Sequence, residues 1–172
     1  THLNSPATPG PVGHGFTQDN LNTGQTYWTA DLNSVFRVFG RDTCNQTAGA
    51  DGAVPEDQFN WLKAGLAQAQ QENKLAIVLS HHNRVTLATA ADAVFGGQGL
   101  IHAEEFISML NEYPNMVAWV NGHTHINTIR PHPNGKGGGF WEITTASCVD
   151  YPQQQQLLEF IDKRDGTMSI FA

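Results

Sequence analysis

Two short stretches, "LAIVLS" at 75–80 and "MVAWV" at 116–120, constrain the fold of this 172-residue chain more than anything else in it. Neither alternates apolar with polar residues, as a half-exposed strand would. Each reads as a strand buried on both faces, the kind found inside a parallel sheet. Parallel neighbours need a crossover, and the intervening "AEEFISMLNEY" (103–113) reads as a helix stopped by Pro114. Upstream, "TYWTA" (26–30) and "SVFRVFG" (34–40) predict paired strands joined by a turn at Asp31-Leu32-Asn33. A Gly/Ala/Asp-rich loop then runs from Arg41 to Val54. Pro55 stands at a helix start, with Glu56 and Asp57 in the positive first turn. Phe59, Leu62, Leu66 and Ala69 share one face, which predicts an amphipathic helix over 55–72.

The remainder is simpler. Residues 1–25 and 81–101 read as loops. "PHPNGKGGG" (131–139) reads as a glycine-rich loop before a strand within 140–145. The end splits at Asp165-Gly166 into a hairpin with strands near 156–163 and 167–171. The order β-β-α-β-α-β followed by antiparallel strands predicts an α/β fold, a mixed sheet with a βαβαβ core and right-handed crossovers, as a single domain over 1–172.

The chemistry concentrates at the ends of the two apolar strands. The first runs into His81-His82-Asn83 and the second into Gly122-His123-Thr124-His125. In open α/β sheets, ligands bind at the carboxyl ends of the strands. Neighbouring parallel strands would bring His81 within a few ångströms of the His123/His125 pair. In extended chain, residues two apart project to the same side with Cβ atoms roughly 7 Å apart. Such a pair chelates one ion, or gives one ring to each of two ions about 3.5–4 Å apart. Gly122 permits a sharp turn and close approach of the backbone to a ligand. Neutral imidazole suits Zn, Fe, Mn or Co, and the lack of nearby cysteine argues against a structural tetrahedral zinc. His82 reads as a supporting, substrate-side or packing residue. His2, His14, His102 and His132 read as surface histidines.

Other classes are poorly served. The formal charge is −7 and no Lys/Arg block exists, so no nucleic-acid surface is evident. No apolar run reaches the roughly 18–20 residues of a membrane span. There is no G-x-S-x-G and no Walker pattern. "GGQG" (96–99) and "GKGGG" (135–139) do not connect a buried strand to a helix and read as flexible loops. Cys44 and Cys148 are too few for a disulfide scaffold; one bridge between them and two separate thiols both remain open. The start, "THLNSPATPG", has neither a methionine nor a signal-peptide core, which suggests a processed or truncated product.

"IVLSHHN" followed some forty residues later by "VNGHTHIN" resembles the last two signature blocks of the calcineurin-like metallophosphoesterases, the superfamily that includes purple acid phosphatases. "FRVFGRDT", "EDQFNWLKAGL" and "FWEITTAS" are similar to the flanking stretches of an exported, long-insert bacterial subgroup. The resemblance covers nearly the whole chain. It implies an α/β/β/α sandwich with a dinuclear centre of divalent or trivalent ions (Fe, Mn, Zn or Co) at its edge. It assigns His81 and His123 to one ion and His125 to the other. A metal-bound hydroxide would then hydrolyse a phosphate mono- or diester of a phosphorylated small molecule. Asn83 stands where many relatives have proline, which affects the loop path.

The same family site requires an Asp-x-His, a Gly-Asp and a Gly-Asn-His, and none of the three occurs in these residues. Two adjacent divalent ions repel strongly, and three neutral imidazoles do not offset that. Asp42 follows a strand and could approach the same edge, in a capping or supporting role. Three readings follow. The chain is the C-terminal half of a longer phosphoesterase and inactive alone; or it is a mononuclear three-histidine hydrolase; or it is a non-catalytic binding or assembly module with a degenerate site.

Overall fold

A computed structural model describes residues 17–44, 50–87 and 101–172. The expected loop over 1–16 with His2 and His14, and "GGQG" with most of the loop around it, lie outside these residues.

Local chemistry explains each element. Helix α1 (Gln18–Thr23) lies where a loop is expected over 1–25. Its reason is a capping box: Thr17 accepts from the Asn20 amide, the Asn20 side chain accepts from the Thr17 amide, and Gly24 closes the helix at φ 72°. Strands β1 (Trp28–Asp31) and β2 (Phe36–Gly40) pair antiparallel. Their turn is held by Asn33 Oδ1, which accepts from the Val35 and Phe36 amides at 2.8 and 2.9 Å. Helix α2 (Glu56–Gln71) buries Gln58, Phe59, Leu62, Leu66 and Ala69, and Pro55 is its N-cap. Strand β3 (Leu75–Leu79), helix α3 (Ala103–Leu110) and strand β4 (Met116–Asn121) follow as the spacing predicts, with α3 a turn shorter.

Beyond β4 the sequence reading needs correction. Thr128–Pro133 is a strand, β5, antiparallel to β6 (Gly139–Thr144), and the loop is confined to the turn between them. Pro131 and Pro133 hide this strand in the sequence, since proline cannot donate to a ladder. They are tolerated because β5 is the sheet's edge. The C-terminal hairpin pairs β7 (Glu159–Asp162) with β8 (Met168–Phe171).

The six-stranded sheet has the order β1-β2-β3-β4-β6-β5, with β2, β3, β4 and β6 mutually parallel. Alternate residues of its strands feed two cores. Phe39, Val78, Trp119 and Phe140 pack under α2 and α3 against Leu62, Leu66, Phe106 and Leu110. Val38, Ile77, Ala118 and Ile143 face the other way, toward Leu158, Phe160 and Ile170 of the hairpin. That second face is incompletely covered: Ile129 is 54% and Trp141 44% exposed. Cys44 and Cys148 are both free and exposed, so the bridge left open by the sequence is not formed. No helix among the described residues is long and apolar enough to cross a membrane.

Candidate metal centre

The site grows from the β3–β4 pairing. These parallel neighbours end in register, Leu79 opposite Val120, and their continuations stay bonded through the Gly122 amide donating to the His81 carbonyl at 2.9 Å. Ser80 fixes the first turn, accepting from the Trp119 indole and donating to the His82 carbonyl, both at 2.8 Å. Asn83 clamps the second loop to the first: its side-chain amide donates to the Gly122 carbonyl at 3.4 Å and to Thr124 Oγ1 at 3.3 Å.

His81 Nε2 and His123 Nδ1 consequently stand 3.0 Å apart. His82 joins them, and the three residues each bring a ring nitrogen within 4.8 Å of the others. His82 differs chemically from its neighbours. It is buried, with Nε2 3.0 Å from the Ala50 carbonyl and Nδ1 2.8 Å from Thr43 Oγ1. The carbonyl can only accept, so Nε2 carries the proton and Nδ1 accepts from the hydroxyl. Both nitrogens are engaged. Gly52 makes this packing possible, because a Cβ there would lie 2.3 Å from the ring.

Electrostatics favour the neutral form of His81 and His82. Partial burial, then the neighbouring His123 and His125, hold the His81 pKa below the usual histidine range. Burial also pulls His82 down; His123 and His81 add to this, against the opposing Ala50 carbonyl and Asp51 charge. Neutral imidazole is the form that ligates metal.

The H-x-H segment is not extended, as the sequence reading assumes. His123 and His125 both have left-handed backbone, at φ 71° and 58°. The Thr124 amide donates to the Gly122 carbonyl at 2.9 Å, closing a strained γ-turn around His123. Left-handed conformations of this kind cost about 1–3 kcal/mol and cluster at functional sites. Gly122, expected to provide the turn, has room for a Cβ and no positive φ. His123 meets His81, while His125, near enough to His81 to help lower its pKa, is not one of the three clustered histidines and has Nδ1 3.9 Å from Asp150 Oδ2.

The other sequence candidates fall as follows. Asp42 lies outside the cluster, accepting from Thr26 and from the Cys44 amide. Burial opposes its ionisation, but these bonds outweigh it and lower its pKa. His102 is exposed at the start of α3. His132, read as a surface residue, is buried with Nε2 2.9 Å from Glu142 Oε2, because it belongs to β5 and not to a loop. Glu142, Thr43 and Gly52 escape sequence reasoning; the one available signal is a glutamate inside the otherwise apolar "FWEIT".

No family model matches the chain, and a search of the curated proteins gives no match. Among solved structures it is similar to a dimetal phosphatase from Danio rerio, with a TM-score of 0.55 and 13% sequence identity over 78% of this chain and 53% of that one. The chain thus spans about half the length of that structure, and the likeness is one of fold.

Proposed function

We propose that this chain is the C-terminal half of a dinuclear-metal phosphoesterase, contributing His81 and His123 to one ion and His125 to the other. The observation that carries the reading is the 3.0 Å separation of His81 Nε2 and His123 Nδ1 at the carboxyl ends of adjacent parallel strands. Two ligand bonds of about 2.1 Å span that distance from one centre, so the pair fits a single ion. Bound ions supply positive charge that polarises a phosphoester and acidifies water.

This chain's own residues hold the donors ready. His82 packs behind them with both ring nitrogens satisfied, and Asn83 locks the two loops together. His125 faces a separate cleft of about 410 Å³ that it lines with Ile126, Asn127 and Tyr151, room for the organic part of a phosphorylated small molecule. Asp150 Oδ2 lies 3.9 Å from Nδ1 of this ring.

The acidic ligands belong, in this proposal, to polypeptide beyond these residues. Two features support that. No carboxylate joins the three-histidine cluster among the described residues. The sheet's second face leaves Ile129 and Trp141 exposed, as a surface made to be covered. The mononuclear alternative has His81, His123 and His125 hold one ion unaided. Zn²⁺ titration of the 172-residue chain, followed by assay on an aryl phosphate, separates the two. We expect one ion per chain, lost in His81→Ala and His123→Ala, with little or no hydrolysis until the missing ligands are supplied. Robust hydrolysis by the chain alone would establish the mononuclear reading; failure to bind any ion would end both.

A further inference from the structure

We propose that Glu142 is a positioning residue that holds both histidine loops in register. This rests on the metal-site reading for its purpose, though not for its geometry.

Glu142 lies in the interior of β6, only 3% exposed, on the face it shares with its register partner Trp119. A carboxylate there is costly unless its oxygens are occupied. They are. Oε1 accepts from the Arg84 amide at 3.0 Å and from Asn121 Nδ2 at 3.1 Å, and Oε2 lies 2.9 Å from His132 Nε2. Arg84 is three residues beyond His81, and Asn121 is two residues before His123. One carboxylate therefore anchors the exit of the loop that carries His81 and the entry of the loop that carries His123, and His132 on β5 steadies it from the far side. Asn121 extends the tie by accepting from Thr144 Oγ1 at 2.7 Å. Burial opposes ionisation of Glu142, but His132, the Arg84 amide and Asn121 more than compensate and lower its pKa. An apolar residue would pack this interior position at less electrostatic cost, so stability alone gives no reason for the charge.

The test compares Glu142→Ala, Glu142→Gln and Glu142→Asp with Asn115→Ala. Asn115 is a buried hydrogen-bonding side chain at the opposite end of the sheet, donating to the Leu66 and Lys74 carbonyls. Two readouts are used: imidazole ¹⁵N resonances of His81 and His123 without metal, and Zn²⁺ affinity at the site that His123→Ala removes. Glutamine keeps an oxygen for Arg84 and Asn121, so it should stay within about threefold of wild type. Alanine, and aspartate with its shorter reach, should shift both ring resonances and weaken Zn²⁺ binding about 10–100-fold. Asn115→Ala should lower stability without moving either readout. If alanine does not fold, aspartate decides. Unchanged rings and affinity in the aspartate variant would overturn the proposal. So would equal effects of Asn115→Ala, which would make the role merely structural. Should wild type bind no Zn²⁺, the metal reading fails, and the ring resonances alone still decide the positioning role.

Discussion

His123 shows how a single backbone angle decides what a motif can do. In extended chain His123 and His125 would project together. With left-handed φ at both, His123 Nδ1 stands 3.0 Å from His81 and His125 Nδ1 3.9 Å from Asp150. The sequence therefore made His81 and His123 legible as neighbours, because strand ends and the crossover are written in local patterns. It concealed the left-handed backbone at His123 and His125, because a left-handed histidine leaves no compositional trace. Gly52 was equally hidden: it precedes His82 by thirty residues and matters only because the fold lays it against that ring. Gly52→Ala should displace His82, breaking its bonds to Thr43 and Ala50 and costing about 1–3 kcal/mol. Chemical denaturation measures the cost, and a shift of the His82 ring resonances reports the displacement.

Among elements, the strands were read most securely where they are buried and apolar, at β3 and β4. Strand β5 was missed because edge strands accept proline, and α1 because six residues are too few to show a periodicity. The junction of β1, β2 and α2 illustrates what element pairing adds. Asp31 receives Arg37 at 2.7 Å and also Lys74, while Arg37 reaches Glu72 at 2.7 Å. The Arg37 hydrogen bond, against the opposing effect of burial and with help from Lys74, lowers the Asp31 pKa to about 2. Its folded pKa lies below the unfolded value of about 3.9, so its contribution is present above about pH 4 and is lost as pH falls toward 2. The pair is exposed and screened, so the contribution is at most about 1 kcal/mol. Asp31→Asn should lower stability slightly at neutral pH and reduce the loss between pH 4 and 2, as followed by unfolding midpoints across that range. An unchanged acid slope would remove this role.

At the scale of the whole molecule, one face of the sheet packs under two helices and the other is partly covered by a hairpin. The site gathers imidazoles, with no carboxylate among the described residues in the same group. Stability should nonetheless reside in the helical core, where Leu62 is fully buried. Leu62→Ala should cost about 2–5 kcal/mol by denaturant titration, while leaving the histidine resonances in place. The central claim is that His81 and His123 are built to share a metal ion. Anomalous diffraction from a crystal of the chain grown with Zn²⁺ tests it most directly. The expected result is one peak within about 2.1 Å of both His81 Nε2 and His123 Nδ1. A map with zinc only at other histidines, and the two rings still bonded to each other, would contradict it.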